Sequence, residues 1–116
     1  MTTRILPQNE WPRIAETGVL VDKRWELTAT LGCVVAVEIW TRIIGLAFVF
    51  ITANDNTPHI DGLWIEADYR GNVGVGRGLR RGVKAALDLL GADRVVPITG
   101  AVWMHNPQRR AHGIEL

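Results

Sequence analysis

The sequence predicts a mixed α/β fold, in which a mostly antiparallel sheet is combined with one strand–glycine loop–helix–strand crossover. One observation is a pair of β-branched and aromatic runs at 33–40 and 43–52, separated by only two polar residues, which is typical of a hairpin. The other is a glycine-rich stretch at 68–82, which follows an apolar run and leads into apolar residues at helical spacing. With 116 residues, the chain is predicted to form a single domain, 1–116.

The N-terminal part of the chain predicts a short strand and a short helix. Residues 4–7 are predicted to form the strand. In the segment that follows, Asn9 is a suitable helix cap, Pro12 is tolerated in a first helical turn, and Gly18 can end the helix. Residues 19–31 fit either a second short helix or an irregular loop.

Three apolar runs predict the central strands. The hairpin is expected to be largely buried on both faces, because its two strands are almost continuously apolar. A polar loop with a proline stop follows at 53–58. A third core strand is predicted at 59–67, where Leu63, Trp64 and Ile65 are its apolar centre.

The C-terminal half predicts a helix, a strand and a short tail. The apolar residues at helical spacing are Val75, Leu79, Val83, Ala86, Leu87 and Leu90. Gly91 is a good terminator of this helix. Residues 94–103 are predicted to form one strand with Pro97 at a bulge, and a right-handed crossover should place it parallel to the strand at 59–67. A short tail helix is predicted to start at Asn106.

Composition limits the functions that this chain can serve. A net charge of +1 excludes a polycation, so affinity for anions must come from local clustering. No run reaches the roughly 18 apolar residues of a membrane span, and no N-terminal signal sequence is expected. Cys33 is the only cysteine and lies in an apolar run, which predicts a buried thiol and a cytoplasmic or otherwise reducing location. The three histidines are scattered, so no metal site is predicted.

The glycine-rich stretch is typical of an anion-binding turn at the start of a helix. Glycines let phosphates approach backbone N–H groups, and the helix dipole adds roughly half a positive charge there. A P-loop is excluded, because Gly76 is followed by Arg77 and Gly78 rather than by Lys and Ser or Thr. A dinucleotide fingerprint is excluded by the glycine spacing and by the preceding hairpin. A tight turn that leads into a solvated helix is the alternative interpretation.

Residues 62–95, GLWIEADYRGNVGVGRGLRRGVKAALDLLGADRV, resemble the central motif of the GNAT superfamily of acetyl-CoA-dependent N-acetyltransferases. Residues 34–51, VVAVEIWTRIIGLAFVFI, are similar to the hairpin of that family. The order of the predicted elements agrees with the family as well. The resemblance implies a GNAT-like fold, acetyl-CoA as a substrate, and transfer of its acetyl group to an amine acceptor.

The resemblance also implies which residues bind acetyl-CoA. The backbone cradle for its pyrophosphate would comprise Gly71, Asn72, Val73, Gly74, Val75 and Gly76. Arg77 and Arg81 would meet the phosphates as charged donors. The acetyl-pantetheine arm would lie beside the third strand, with backbone pairing offered by Leu63, Trp64 and Ile65.

Two departures from the family pattern bear on catalysis. An Arg or Gln stands three residues before the first motif glycine in the family, but here Gly71 holds that position and Arg70 lies one residue earlier. The family's tyrosine acid, which reprotonates the departing thiolate, has no match at the C-terminal end. Glu66 is predicted to be the base, and Tyr69, the only tyrosine, is a second catalytic candidate. Other titratable candidates are His59, Asp61, His105 and His112.

Two functions are compatible with these features. The first is an acetyltransferase with an amine acceptor of unknown identity. The second is a non-catalytic structural or assembly protein on the same scaffold, since the chain resembles short, end-trimmed GNAT-like proteins of tailed bacteriophages, some of them virion components. That function would place it in a virion with other chains as partners. Nucleic acid is a less favoured partner, because the net charge is near zero and no aromatic residues interleave with the arginines of the helix.

Overall fold

The computed structural model describes residues 1–19, 32–51, 58–92, 94–95, 103–104 and 114–115, with the main chain alone for 61, 103–104 and 114–115. The predicted second helix or loop at 19–31, the loop at 53–58 and the tail helix at Asn106 therefore lie mostly or wholly outside the described residues. In the described ranges, no helix is both long and apolar enough to cross a membrane.

Four antiparallel strands form the main sheet, in the order β1-β2-β3-β4. They are β1 (Thr2–Leu6), β2 (Cys33–Ile39), β3 (Arg42–Ile51) and β4 (Pro58–Ile65). The predicted hairpin is confirmed as β2 and β3, joined at Trp40 and Thr41. Both strands are buried almost along their whole length, because one face of the sheet packs on a long helix and the other on a 3-10 helix. Continuous apolar runs are the pattern that such two-sided burial requires.

The N-terminal helix is a 3-10 helix, Gln8–Thr17, and it ends at Gly18 as predicted. Gly18 adopts φ +80°, a left-handed conformation that favours glycine. The predicted cap at Asn9 is wrong. The Glu10 N–H donates to the Pro7 carbonyl at 2.9 Å, so the first turn starts at Pro7, upstream of Asn9. Pro12 consequently lies inside the helix and not in its first turn.

The long helix α1, Val73–Leu90, packs on the main sheet with the apolar face that its spacing predicts. The left-handed Gly91 ends it, also as predicted. Gly82 allows the close approach to the sheet, because an added Cβ would lie 2.0 Å from Val35 Cγ1. A Cβ at Gly78 would lie 2.7 Å from Thr3 Oγ1. These two glycines of the glycine-rich stretch are therefore explained by helix–sheet packing and not by a ligand.

A second sheet comprises three short strands, β5 (Arg94–Val95), β6 (Trp103–Met104) and β7 (Ile114–Glu115). The predicted single strand over 94–103 is wrong, because Val95 pairs antiparallel with Trp103 and the chain must reverse between them. Among the described residues β5 does not pair with the third strand, since β5 and β4 belong to different sheets, and the predicted parallel direction of the two strands stays a prediction. Pro97, which lacks an N–H, and Gly100 are the sequence features that disfavour one continuous strand.

Candidate functional site

A cavity of about 480 Å³ lies between β4 and α1, and we call it the β4–α1 cavity. The described residues that line it are Ile60, Leu63, Ile65, Val73, Gly76, Arg77, Leu79, Arg80 and Val83. Its walls are apolar side chains from the strand and the helix, with two arginines from the helix. Leu63 and Val73 are exposed, at 46% and 65% of their full accessible areas. Exposed large apolar side chains beside a cavity are typical of a surface that binds a ligand.

A bulge in β4 determines which strand residues face this cavity. Phe48 pairs with Gly62 and Val49 pairs with Ile60, so one residue of β4, Asp61, is extra. Because side chains alternate along a strand, this insertion brings Ile60 onto the same face as Leu63 and Ile65. Trp64 points to the opposite face, although it was predicted together with Leu63 and Ile65. The role predicted for Trp64 is backbone pairing, which does not depend on the direction of its side chain, and that role stays a prediction.

The helix contributes one face of its first three turns. The cavity-lining residues from Val73 to Val83 recur three or four positions apart, which is the spacing of one helix face. Arg77 lies on this face, whereas Arg81 is exposed and does not line the cavity. Arg80 does line it and was missed. Arg80 lies three positions after Arg77 and Arg81 lies four positions after it. Both spacings are compatible with the helix face of Arg77, so the sequence alone does not choose between the two arginines.

The start of α1 is capped by a side chain that belongs to the predicted cradle. Asn72 Oδ1 accepts hydrogen bonds from the N–H groups of Gly74, at 2.8 Å, and Val75, at 3.3 Å. Gly71 adopts φ +85° in the turn before it. An anion that binds these amides would have to replace the Asn72 oxygen as their acceptor. Arg70 does not reach the helix start, because its Nε donates to the Ile65 carbonyl at 3.1 Å.

A second hollow, of about 350 Å³, lies on the opposite face of β4, and we call it the Glu66 hollow. The described residues that line it are Arg13, Glu16, Thr17, Thr41, Arg42, Ile43, Trp64 and Glu66. Glu66 follows β4 directly, and its N–H donates to the Ile44 carbonyl at 2.9 Å, which fixes its backbone at the strand end. Its Oε1 forms an ion pair with Arg42. Its Oε2 is buried and has no hydrogen-bond partner among the residues that the structure describes.

A third, shallower hollow of about 650 Å³ adjoins the second, and we call it the Trp40 hollow. The described residues that line it are Thr2, Arg4, Glu10, Arg13, Glu16, Glu38, Trp40 and Thr41. Four of them form a charge cluster. Arg4 and Arg13 both contact Glu10, at 2.6 and 2.8 Å, and both also contact Glu38, which is only 5% exposed.

The charge cluster changes the acidity of its carboxyl groups. Hydrogen bonds from Arg4, and to a smaller extent from Arg13, lower the pKa of Glu10 from 4.5 to about 2, against the opposing effect of burial. Burial raises the pKa of Glu38, but the hydrogen bonds from Arg4 and Arg13 lower it further than burial raises it. Both carboxylates therefore favour the folded state only while they are ionised.

We expect acid to destabilise this protein through the same cluster. The folded-state pKa values of Glu10 and Glu38 lie below their unfolded values, so both carboxylates stabilise the fold above the unfolded pKa and lose that contribution in acid. For Glu10 the loss occurs as the pH falls from about 4.5 toward about 2. Urea denaturation at a series of pH values should show the midpoint falling across this window. Glu10→Gln should flatten that fall, and an unchanged pH dependence in the variant would contradict the assignment.

Of the remaining catalytic candidates, Tyr69 and His59 are described, and neither lines the β4–α1 cavity. Tyr69 ends a short 3-10 turn, Ala67–Tyr69, and packs partly buried against the core, without lining any of the three hollows. The His59 ring lies 6.4 Å from the Phe50 ring. The Asp61 side chain, His105 and His112 fall outside what the structure describes. Within the described part of the chain, no cluster of three or more His, Cys, Asp or Glu is placed to hold a metal ion.

Comparison with known proteins identifies the fold. No protein-family model and no curated protein sequence matches this chain. It is similar to a chimera of spermidine N-acetyltransferase from Vibrio cholerae and hSSAT, with 14% identity and a TM-score of 0.57 over 84% of this chain and 70% of that one.

Two further solved structures have the same fold. An acetyltransferase from Vibrio fischeri is 17% identical with a TM-score of 0.53, over 84% of this chain and 94% of its own. An acetyltransferase from Trypanosoma brucei is 16% identical with a TM-score of 0.53, over 98% of this chain and 92% of its own. The predicted GNAT-like fold, mixed α/β with an antiparallel sheet, is therefore confirmed.

Proposed function

We propose that this chain is an N-acetyltransferase, which transfers the acetyl group of acetyl-CoA to an amine acceptor. The observation that carries the proposal is the β4–α1 cavity, in which an apolar strand-and-helix groove has Arg77 and Arg80 on its helix side. Coenzyme A has the same two parts, an extended thioester arm and a charged pyrophosphate. A reducing, cytoplasmic location is proposed with it, because Cys33 is a buried free thiol.

The residues present fit acetyl-CoA in three respects. Gly76 lines the cavity, and a Cβ added there would meet no atom within 4 Å, so open space lies above the helix backbone. The guanidinium groups of Arg77 and Arg80 would bind phosphate oxygens as charged donors. Among the described strands β4 is the last of its sheet, so the outer edge of Leu63 to Ile65 offers N–H and C=O groups to the amides of the arm.

Glu66 would act as the base from the other face of β4. Its partnerless Oε2 is an acceptor for one proton of the incoming ammonium, while Arg42 holds the other oxygen. The amine nitrogen that results forms a bond to the acetyl carbon, the C–S bond of the thioester breaks, and the thiolate leaves with that electron pair. The second proton of the nitrogen ends on the thiol. Acetyl-CoA supplies the activated acetyl group, and the chain orients it and accepts the first proton.

We expect a charge reversal at Arg77 to weaken acetyl-CoA binding at least tenfold, because it replaces a phosphate donor with a carboxylate that repels phosphate. Arg81→Glu is the matched control, since it changes the same charge on the same helix, at an exposed position outside the cavity. Arg81→Glu should weaken acetyl-CoA binding by no more than about threefold, because its carboxylate repels the phosphates only at long range and through screening solvent. Calorimetric titration with acetyl-CoA measures both values.

Two results of this titration would count against the proposal. No acetyl-CoA binding by the unmodified protein would contradict the enzyme function itself. Equal weakening by Arg77→Glu and Arg81→Glu would mean that the phosphates respond to the net charge of the helix and do not bind in the β4–α1 cavity.

A non-catalytic assembly protein, such as a bacteriophage virion component, is the second candidate. The observation that favours it is the helix start, where Asn72 already accepts the N–H groups of Gly74 and Val75 that a pyrophosphate would use. The outer edges of β1 and β4 could then pair with other chains. This candidate predicts no acetyl-CoA binding and an assembly larger than one chain in sedimentation measurements.

A further inference from the structure

We infer that the Glu66 hollow and the Trp40 hollow together form one acceptor site, for an elongated amine that carries a second positive charge. The inference rests on the proposed function, because it names the class of amine that would receive the acetyl group. One amine of this ligand would donate to Glu66 Oε2, and the second, charged group would lie between Glu16 and the indole ring of Trp40.

The two hollows adjoin each other. They share three lining residues, Arg13, Glu16 and Thr41. Glu66 lines only the first hollow and Trp40 only the second, which places them toward opposite ends of the combined site. A ligand that contacts both residues must therefore be long rather than compact.

The donors and acceptors of this site are unequally satisfied. Arg13 donates three hydrogen bonds, to Glu10, Glu38 and the Thr41 carbonyl, at 2.8 to 2.9 Å. Two acceptors are less satisfied: among the described residues, Glu66 Oε2 has no hydrogen-bond partner and the carboxylate of Glu16 forms no ion pair.

The balance of charges in the combined site also favours a positively charged ligand. The carboxylates of the combined site are Glu10, Glu16, Glu38 and Glu66, and its guanidinium groups are Arg4, Arg13 and Arg42. The ion pairs among the described residues involve all three guanidinium groups and leave Glu16 without a described cationic partner. A cation is therefore attracted to the Glu16 end, whereas an anion would meet an excess of carboxylates.

Trp40 supplies the second element of the cation site. It is 94% exposed and adopts φ +56°, a left-handed conformation that is unfavourable for a bulky side chain. Strained residues of this kind are concentrated at functional sites. An exposed indole ring next to an uncompensated carboxylate is the combination that binds ammonium groups through cation–π and ionic contacts.

The acceptor class can be tested by calorimetry without acetyl-CoA. We expect 1,4-diaminobutane and spermidine to bind at least tenfold more tightly than butylamine, which has the same reactive amine but no second charge. Glu16→Gln and Trp40→Gly should each remove most of this difference. Glycine suits the left-handed φ at position 40, so that variant is expected to fold normally. Asp68→Asn, an exposed change outside all three hollows, is the control and should leave the preference unchanged.

Steady-state kinetics separates this inference from the proposed function. With acetyl-CoA saturating, Glu16→Gln should raise KM for 1,4-diaminobutane about tenfold, with little change in kcat and no change in KM for butylamine. Equal binding of diamine and monoamine, or a diamine preference that survives both variants, would overturn the acceptor inference even if acetyl transfer occurs. Selective diamine binding without acetyl transfer would support the cation site and contradict only the proposed function.

Discussion

Replacing Gly82 with alanine is expected to lower the free energy of unfolding by about 2 kcal/mol. The new Cβ would lie 2.0 Å from Val35 Cγ1 and 3.2 Å from Val35 Cβ. Val35 is fully buried and β-branched, so its rotamers are restricted and close packing leaves it little space to move. Overpacking costs about 1–3 kcal/mol, and a contact of 2.0 Å favours the upper end of that range. The gain of about 1 kcal/mol from replacing a helical glycine then leaves a net loss of about 2 kcal/mol. Urea denaturation measures the difference.

Gly76→Ala is the matched control for this prediction. It makes the same change in the same helix, but the added Cβ has no neighbour within 4 Å. The propensity gain is then unopposed, and this variant should be more stable by about 0.5–1 kcal/mol. If both variants shifted stability in the same direction, the close packing of α1 on β2 would not be the reason for glycine at position 82.

Glu66→Gln is expected to lower kcat about 100-fold or more, which is the lower end of what a positioned base contributes. Glutamine keeps the size of the side chain and an oxygen for Arg42, but its amide nitrogen cannot accept the proton that Oε2 would accept. The deficit should shrink at alkaline pH, where more of the amine substrate is already deprotonated. Acetylation rates of an amine acceptor across a pH series provide the measurement.

The affinity for acetyl-CoA distinguishes a base from a structural residue. Glu66 lines the hollow on the far face of β4 from the β4–α1 cavity, so Glu66→Gln should leave the Kd for acetyl-CoA unchanged. A rate close to that of the unmodified protein would remove Glu66 as the base. A loss of rate together with a loss of acetyl-CoA binding would mean that the ion pair with Arg42 maintains the fold of the site.

Several elements could be predicted because local patterns decide them. The hairpin follows from two continuous β-branched runs, and α1 follows from its apolar spacing and its terminal Gly91. The burial of both sheet faces and the GNAT-like order of elements follow from the same patterns. The strand at 94–103 was predicted wrongly, because its residues favour β structure in both arrangements and only pairing with distant residues decides between one strand and two.

The site was predicted less completely than the fold. Glu66 and Arg77 were both named from the sequence. Glu66 lines the Glu66 hollow and Arg77 lines the β4–α1 cavity, and these two spaces lie on opposite faces of β4. Arg42 and Glu16 were not named, because each meets its neighbours in the hollow only through long-range folding. The binding role of the predicted residues remains a prediction that the titrations and rate measurements above address.

The sequence by itself determined the elements of this protein, because backbone propensity, apolar spacing and helix termination act over a few neighbouring residues. Tertiary structure alone decided which side chains meet. The bulge at Asp61 brings Ile60 onto the face of Leu63 and Ile65, and the rotation of α1 on the sheet selects Arg80 over Arg81. Tertiary structure also decided that position 82 must be glycine. The contact with Val35, which lies far away in the chain, leaves no room for a side chain there, although helix propensity alone would favour almost any other residue.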